Sequence, residues 1–163
     1  MAIPGITQPG LIQIGDGLRL RKYDGRHDFA LRWYQDTETV YMVDGVREPY
    51  TPEKLDRMYA YLERQGELYF IELLENGAYR PIGDVTFWQE DMPIVIGEKA
   101  CRGRGIGRKV VAALVERGRS LGYQWLKVNE IYGYNTASAK CFESVGFTVC
   151  GHTEKGFQWK VEL

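Results

Sequence analysis

The segment Lys99-Ala-Cys-Arg-Gly-Arg-Gly-Ile-Gly-Arg-Lys109 constrains the fold most. A strand pattern, Ile94 to Glu98, leads into it, and Ile106, Val110, Ala113, Leu114 and Leu121 leave it at helical spacing. It is therefore a strand-to-helix turn. Gly103, Gly105 and Gly107 strip it of side chains, so a ligand can approach the backbone closely. A helix start also offers unpaired N–H groups and the positive end of the helix dipole. Five cations, Lys99, Arg102, Arg104, Arg108 and Lys109, flank the turn with no acid among them. The combination points to a phosphate-bearing ligand. A P-loop would need Gly-Lys-Ser/Thr, and the chain has Gly107-Arg108-Lys109-Val110. A dinucleotide fingerprint would need its third glycine one residue later.

The rest of the chain reads as a mixed α/β sheet. Residues 1–10, with two prolines and two glycines, predict a loose arm, and residues 11–163 a single domain. Leu11–Ile14 and Leu18–Tyr23 predict strands, and Asp28 to about Asp36 a short helix. A turn-rich loop through Tyr41, Asp44-Gly45 and Pro49 follows. Thr51-Pro52-Glu53 predicts a helix start, with Leu55, Met58, Tyr59 and Leu62 on its inner face and Gly66 as its stop. Strands follow at Leu68–Leu74, Ile82–Trp88 and Ile94–Glu98, the first two joined by an Asn76-Gly77 hairpin turn. After the glycine-rich turn come a helix to Gly122, a strand Trp125–Ile131 and a helix opened by Asn135 and ended by Gly146. Phe147–Cys150 and Phe157–Leu163 close the chain as strands. The order is antiparallel strands, then strand–helix–strand, then helix and hairpin.

Composition removes several classes. Three cysteines build no complete disulfide framework and show no C-x-x-C spacing, which suits a reducing, cytoplasmic compartment. Two distant histidines make no multi-histidine metal site, so no metal is expected. No signal peptide and no membrane-spanning run are evident. The cations concentrate in one turn, without the extended basic-aromatic stripe of a nucleic-acid binder.

Two segments carry a family resemblance. Arg102-x-x-Gly105-x-Gly107 resembles the acetyl-CoA motif of the GCN5-related N-acetyltransferases, Q/R-x-x-G-x-G/A. Asn135-x-x-Ser138-Ala139-x-Cys141-Phe142-Glu143-x-x-Gly146-Phe147 is similar to that family's N-x-x-A-x-x-x-Y-E-x-x-G-F signature. The resemblance covers about residues 18–163. It implies a fold of antiparallel N-terminal strands followed by a splayed parallel pair with a crossover helix. It implies that the amides of Arg102, Gly103, Arg104, Gly105, Ile106 and Gly107, flanked by Arg108, hold the pyrophosphate of coenzyme A. Pantetheine would bond to the backbone of Ile96, Gly97 and Glu98, and Asn135 would contact the cofactor nearby. The chemistry is direct transfer: a neutral amine attacks the thioester and coenzyme A leaves as thiol. Phe142 stands where the family often has the tyrosine that protonates the thiolate, so Tyr134 becomes the candidate donor. Members of the family are often dimers, although no interface is readable.

A carboxylate or an ordered water chain is expected to take the ammonium proton. Period two places Leu126, Val128 and Glu130 on one strand face, beside the cofactor gap. Glu130 also matches an acid of some aminoglycoside 6′-N-acetyltransferases, five residues before the motif asparagine. Asp84 and Glu98 read more simply as partners of arginines or loop caps. Trp33, Tyr34, Tyr41 and Tyr50 lie where the family builds its acceptor pocket, and Asp36, Glu38 and Asp44 would attract a cation there. The charge is also divided. Residues 28–98 hold 15 acidic against 6 basic side chains, and residues 99–163 hold 5 against 11. That polarity suits a cationic amine and a polyanion respectively. The expected activity is acetyl transfer from acetyl-CoA to a small cationic primary amine. The alternatives are a protein N-terminal or lysine acetyltransferase, since Trp33-Tyr34-x-Asp36 resembles the ribosomal-protein branch, and a silent acyl-CoA binding or sensing module, which Phe142 favours.

Overall fold

The computed structural model describes residues 2–163. The chain forms two compact units. The first runs to Thr86 and adds Ile94–Arg102; the second is Phe87–Pro93 and Gly103–Leu163.

The first unit holds a five-stranded sheet in the order β1-β2-β3-β4-β5: Leu11–Gly15, Leu18–Lys22, Glu67–Glu75, Ala78–Phe87 and Ile94–Ile96. Asn76 and Gly77, with φ of 50° and 79°, turn β3 into β4 as the sequence predicts. Helices α1 (Leu31–Gln35), α2 (Thr37–Asp44) and α3 (Pro52–Gln65) complete the unit. Thr51 caps α3 by accepting from the Lys54 N–H at 3.1 Å, and Leu55, Tyr59 and Leu62 are its buried stripe. They pack with Trp33, Tyr34, Val40, Leu68 and Phe70.

Three expectations change here. The loop expected after Asp36 is helix α2. Asp36 caps it by accepting from the Glu38 and Thr39 amides, and Gly45, at φ 76°, ends it. Thr37, Thr39, Val40, Tyr41 and Val43 are weak helix formers, which hid the helix from a propensity reading. Strand β5 stops at Ile96 and not at Glu98, because the amides of Gly97 and Glu98 both donate to the Ile82 carbonyl. The arm expected to be loose is held: Ile3 is buried, Gln8 Nε2 donates to the Leu68 carbonyl at 3.0 Å, and Lys22 N donates to the Gly10 carbonyl.

The second unit holds a three-stranded sheet in the order β6-β8-β7: Trp125–Tyr132, Gly156–Glu162 and Thr148–His152. Helices α4 (Ile106–Ser120) and α5 (Thr136–Ser144) pack with it. The buried face of α4 is wider than predicted and includes Val111, Val115 and Gly118. A Cβ at Gly118 would come within 3.1 Å of Leu126, so glycine lets β6 approach the helix.

Among the described residues, two buried side-chain polar atoms have no hydrogen-bond partner, Thr86 Oγ1 and Trp159 Nε1. A buried hydroxyl without a partner costs its desolvation. Thr86→Val keeps the shape and removes the hydroxyl. It is expected to raise stability by about 1 kcal/mol, or roughly 2–4 °C in a chain of this size, read by thermal unfolding. A lower melting temperature would mean that the hydroxyl has a partner in solution.

Candidate active site

In the second unit the glycine-rich turn has the geometry the sequence implies. Gly103 and Gly105 take φ of 72° and 77°, and nothing lies within 4 Å of a Cβ built on either. Glycine is required there by the backbone angle, and the surrounding space is open to a ligand. Gly105 is the N-cap of α4, so no side chain caps the helix and no acid sits in its first turn. The amides of Ile106, Gly107 and Arg108 therefore lack a side-chain acceptor, and Arg104, Arg108 and Lys109 stand exposed around them without an ion pair among the described residues. These groups fit a pyrophosphate.

Lys99 and Arg102 behave differently from those three cations. Lys99 Nζ lies 2.5 Å from Asp36 Oδ2. That hydrogen bond, with those from the Thr39 and Glu38 amides, holds the Asp36 carboxyl below the usual carboxylate range. Arg102 Nε donates to the Ile96 carbonyl at 2.8 Å, and its Nη2 donates to Thr39 Oγ1 at 2.9 Å. The five cations seen in sequence thus divide into three that face outward from the second unit and two engaged within the first.

Asn135 is the N-cap of α5 and accepts from the Ser138 N–H at 3.2 Å. Phe142 is 1% exposed and meets Phe147 edge-on at 5.1 Å. Tyr134 is half-buried and stacks on Tyr132 at 5.4 Å. Glu130 departs from the period-two expectation. The β6–β8 register shifts between Val128 and Ile131, because the Asn129 N–H leaves the ladder for Asp91 Oδ1 at 3.0 Å. Leu126, Val128 and Ile131 are buried, whereas Asn129 and Glu130 are exposed. Glu130 therefore does not share the face of Leu126 and Val128. Burial raises the Asp91 carboxyl, against the two amides that bond it.

In the first unit Glu98 is an acceptor for two side chains. Arg32 Nη2 and Trp33 Nε1 both donate to its Oε1, the latter at 2.9 Å, and Arg80 Nη1 lies 4.0 Å away. Trp33 covers Gly97 so closely that a Cβ there would stand 2.2 Å from the indole. The backbone expected to meet pantetheine is partly engaged: Gly97 and Glu98 amides on Ile82, and the Ile96 carbonyl on Arg102. That carbonyl keeps a second lone pair.

The acids expected to draw a cation are already paired: Asp36 with Lys99, Glu38 with Arg47, and Asp44 with Lys54 and the Tyr50 hydroxyl. The local excess of acid in residues 28–98 is thus largely compensated at these positions. Asp84 is the acid that sequence reasoning undervalued. It is 2% exposed on β4, and the hydroxyls of Tyr34 (α1) and Tyr59 (α3) both donate to its Oδ2, at 2.7 and 2.8 Å. Burial raises its carboxyl to about 6 despite those two bonds. Burial likewise raises the phenols of Tyr34 and Tyr59, with the Asp84 charge adding to it. Among the described residues no group of His, Cys, Asp or Glu could hold a metal ion, and no helix is long and apolar enough to cross a membrane.

Comparison with known proteins gives the fold a lineage. No curated protein matches the sequence. A domain from Methanocaldococcus jannaschii superposes with a TM-score of 0.78 at 23% identity, covering 90% of this chain and 98% of that one. AAC(6')-Ib in complex with paromomycin and acetyl-CoA gives 0.72 at 18% identity, covering 90% and 94%. Spermidine N-acetyltransferase from Vibrio cholerae, in complex with CoA and spermine, gives 0.67 at 16% identity, covering 91% and 96%. These likenesses establish the mixed α/β fold. The family model described as "Acetyltransferase (GNAT) domain" matches residues 17–148, which takes in the glycine-rich turn, α4 and the Asn135 helix. With most of the chain inside that match, the uncapped helix and its glycines are those of a member of the GNAT acetyltransferase family.

Proposed function

We propose that this protein transfers acetyl from acetyl-CoA to a small cationic primary amine, in a ternary complex. The observation that carries the proposal is the uncapped start of α4, with Arg104, Arg108 and Lys109 exposed and unpaired around open glycine backbone. In this reading the amides from Gly103 to Arg108 bind the pyrophosphate; that of Arg102, expected among them, is committed to the Lys99 carbonyl at 3.1 Å. The backbone at Ile96–Glu98 lines the pantetheine, and the side-chain nitrogen of Asn135 reaches it, its oxygen being committed to Ser138. Residues 28–50 hold the acceptor. The bound thioester supplies an acyl carbon: the N–C bond forms as the C–S bond breaks. Glu130, exposed by the β6 bulge and without an ion pair among the described residues, takes the ammonium proton. Tyr134 gives a proton to the leaving sulfur, in the role of the tyrosine that Phe142 replaces, and is reprotonated by the second N–H proton that the nitrogen loses as the amide forms. The neighbours crystallised with paromomycin and spermine support an amine acceptor by analogy of fold.

Thiol release from acetyl-CoA across a panel of amines, with products identified by mass spectrometry, tests the activity. Glu130→Gln is expected to lower kcat/KM by about 100-fold or more. An unchanged kcat/KM would remove Glu130 from the mechanism. A second reading, a silent acyl-CoA binding module, is favoured by Phe142 in the core at the usual tyrosine position. Tight binding of coenzyme A with no thiol release on any amine would select it.

A further inference from the structure

We infer that Arg102, the first residue of the glycine motif, is a positioning residue for helix α2 and that its side chain is not a phosphate ligand. Its guanidinium is divided between two acceptors of the first unit: the carbonyl of Ile96, where β5 ends, and the hydroxyl of Thr39, in the first turn of α2. Thr39 is 3% exposed, so its hydroxyl is met inside the unit and not by solvent. Lys99, three residues earlier, reaches the same turn through Asp36, the residue that caps α2. Asp36 splits its oxygens between these tasks, Oδ1 on the Glu38 and Thr39 amides and Oδ2 on Lys99. Two cations spaced at i and i+3 thus grip one helical turn from the short segment that joins β5 to the glycines.

The grip has a physical reason. α2 has eight residues, most of them weak helix formers, and so depends on its cap and its packing. A planar guanidinium can serve two acceptors in fixed directions, which a lysine cannot. The residue next to Arg102 is Gly103, so the residue that fixes α2 directly precedes the turn proposed to bind pyrophosphate. The inference rests on the reading that residues 28–50 hold the acceptor. Arg102 then governs how the amine is held, and leaves the affinity for coenzyme A to its neighbours.

Arg102→Gln and Thr39→Val test this in the full chain. Thr39→Val leaves every residue of the glycine turn in place. Both variants are expected to speed amide exchange in residues 37–44 by about tenfold, while the Kd for coenzyme A, by calorimetry, stays within about twofold of the parent. With spermidine or kanamycin as the amine probe, whichever is turned over, KM is expected to rise about tenfold with kcat little changed. Arg102→Lys should restore only part of the exchange protection. The inference is overturned if Arg102→Gln weakens coenzyme A tenfold or more (roughly the loss of one charged hydrogen bond) while exchange in α2 stays at the parental rate. Should the parent bind no coenzyme A, the proposed function fails, and exchange in the two variants still decides the role of Arg102. Should Arg102→Gln not fold, Thr39→Val decides it alone.

Discussion

Gly97→Ala is expected to destabilise the protein by about 2–4 kcal/mol, a fall of roughly 5–15 °C in Tm for a chain of this length. The cause is steric. A Cβ at position 97 would stand 2.2–2.7 Å from three atoms of the Trp33 indole, and Trp33 is 2% exposed. The ring cannot turn aside freely, because its Nε1 donates to Glu98 Oε1. Moving it would also disturb Phe29 and Phe70, which it meets at 5.7 and 6.5 Å. The φ of Gly97 is not in the left-handed region, so space and not backbone angle demands glycine here. That distinction is measurable. In a Trp33→Leu background the added methyl should cost much less, giving a coupling of about 1 kcal/mol or more in a double-mutant cycle. A Gly97→Ala protein as stable as the parent would show that Trp33 does not sit on this glycine in solution.

Asp84→Asn is expected to change the pH dependence of stability. The folded carboxyl titrates near 6, above its ordinary value of 3.8, because burial disfavours the charge. Between those values the folded state holds the proton more tightly than the unfolded chain. The group's contribution is therefore fully present below pH 4 and is lost as pH rises through 6. Asparagine stays neutral, and its carbonyl can still accept from Tyr34 and Tyr59. The stability of Asp84→Asn relative to the parent should thus improve by on the order of 3 kcal/mol between pH 4 and pH 7.5. Taking the difference between the two proteins cancels the other carboxylates. Parallel stability curves for the two proteins would mean that Asp84 titrates normally and that its cage is open to water.

The parts of this fold legible in sequence are those that local chemistry decides. Thr51-Pro52, Asn76-Gly77, the glycines of the turn and the Asn135 cap each announce an element through their own backbone needs, and each is found where expected. What was not legible depends on partners distant in the chain. Helix α2 is capped by Asp36, and its first turn is bonded by Lys99 and Arg102 from far along the chain. Glu130 lost its expected face because Asp91, 38 positions before Asn129, takes one amide from the ladder. The acids of residues 28–98 suggested an open negative field until Lys99, Arg47 and Lys54 were found beside three of them. Asp84 gave no local sign of the two tyrosines that enclose it, since Tyr34 and Tyr59 lie 50 and 25 positions away.

The division of the five cations also sets how a polyanion would meet this protein from a distance. Lys99 is paired with Asp36, so its charge is largely cancelled, whereas Arg102 bonds neutral acceptors: its donors are spent locally but its charge remains. Arg104, Arg108 and Lys109 are not so engaged, and they project from a helix end whose dipole has the same sign. The far field at the glycine turn is thus that of four charges, not of five, with the donors of only three of them free for a ligand. At physiological ionic strength such a field fades within about 8 Å. It can capture and orient a phosphate that has already arrived, and it draws little from bulk solution. Association would accordingly depend on salt only moderately, with selectivity set by the amides at the helix end.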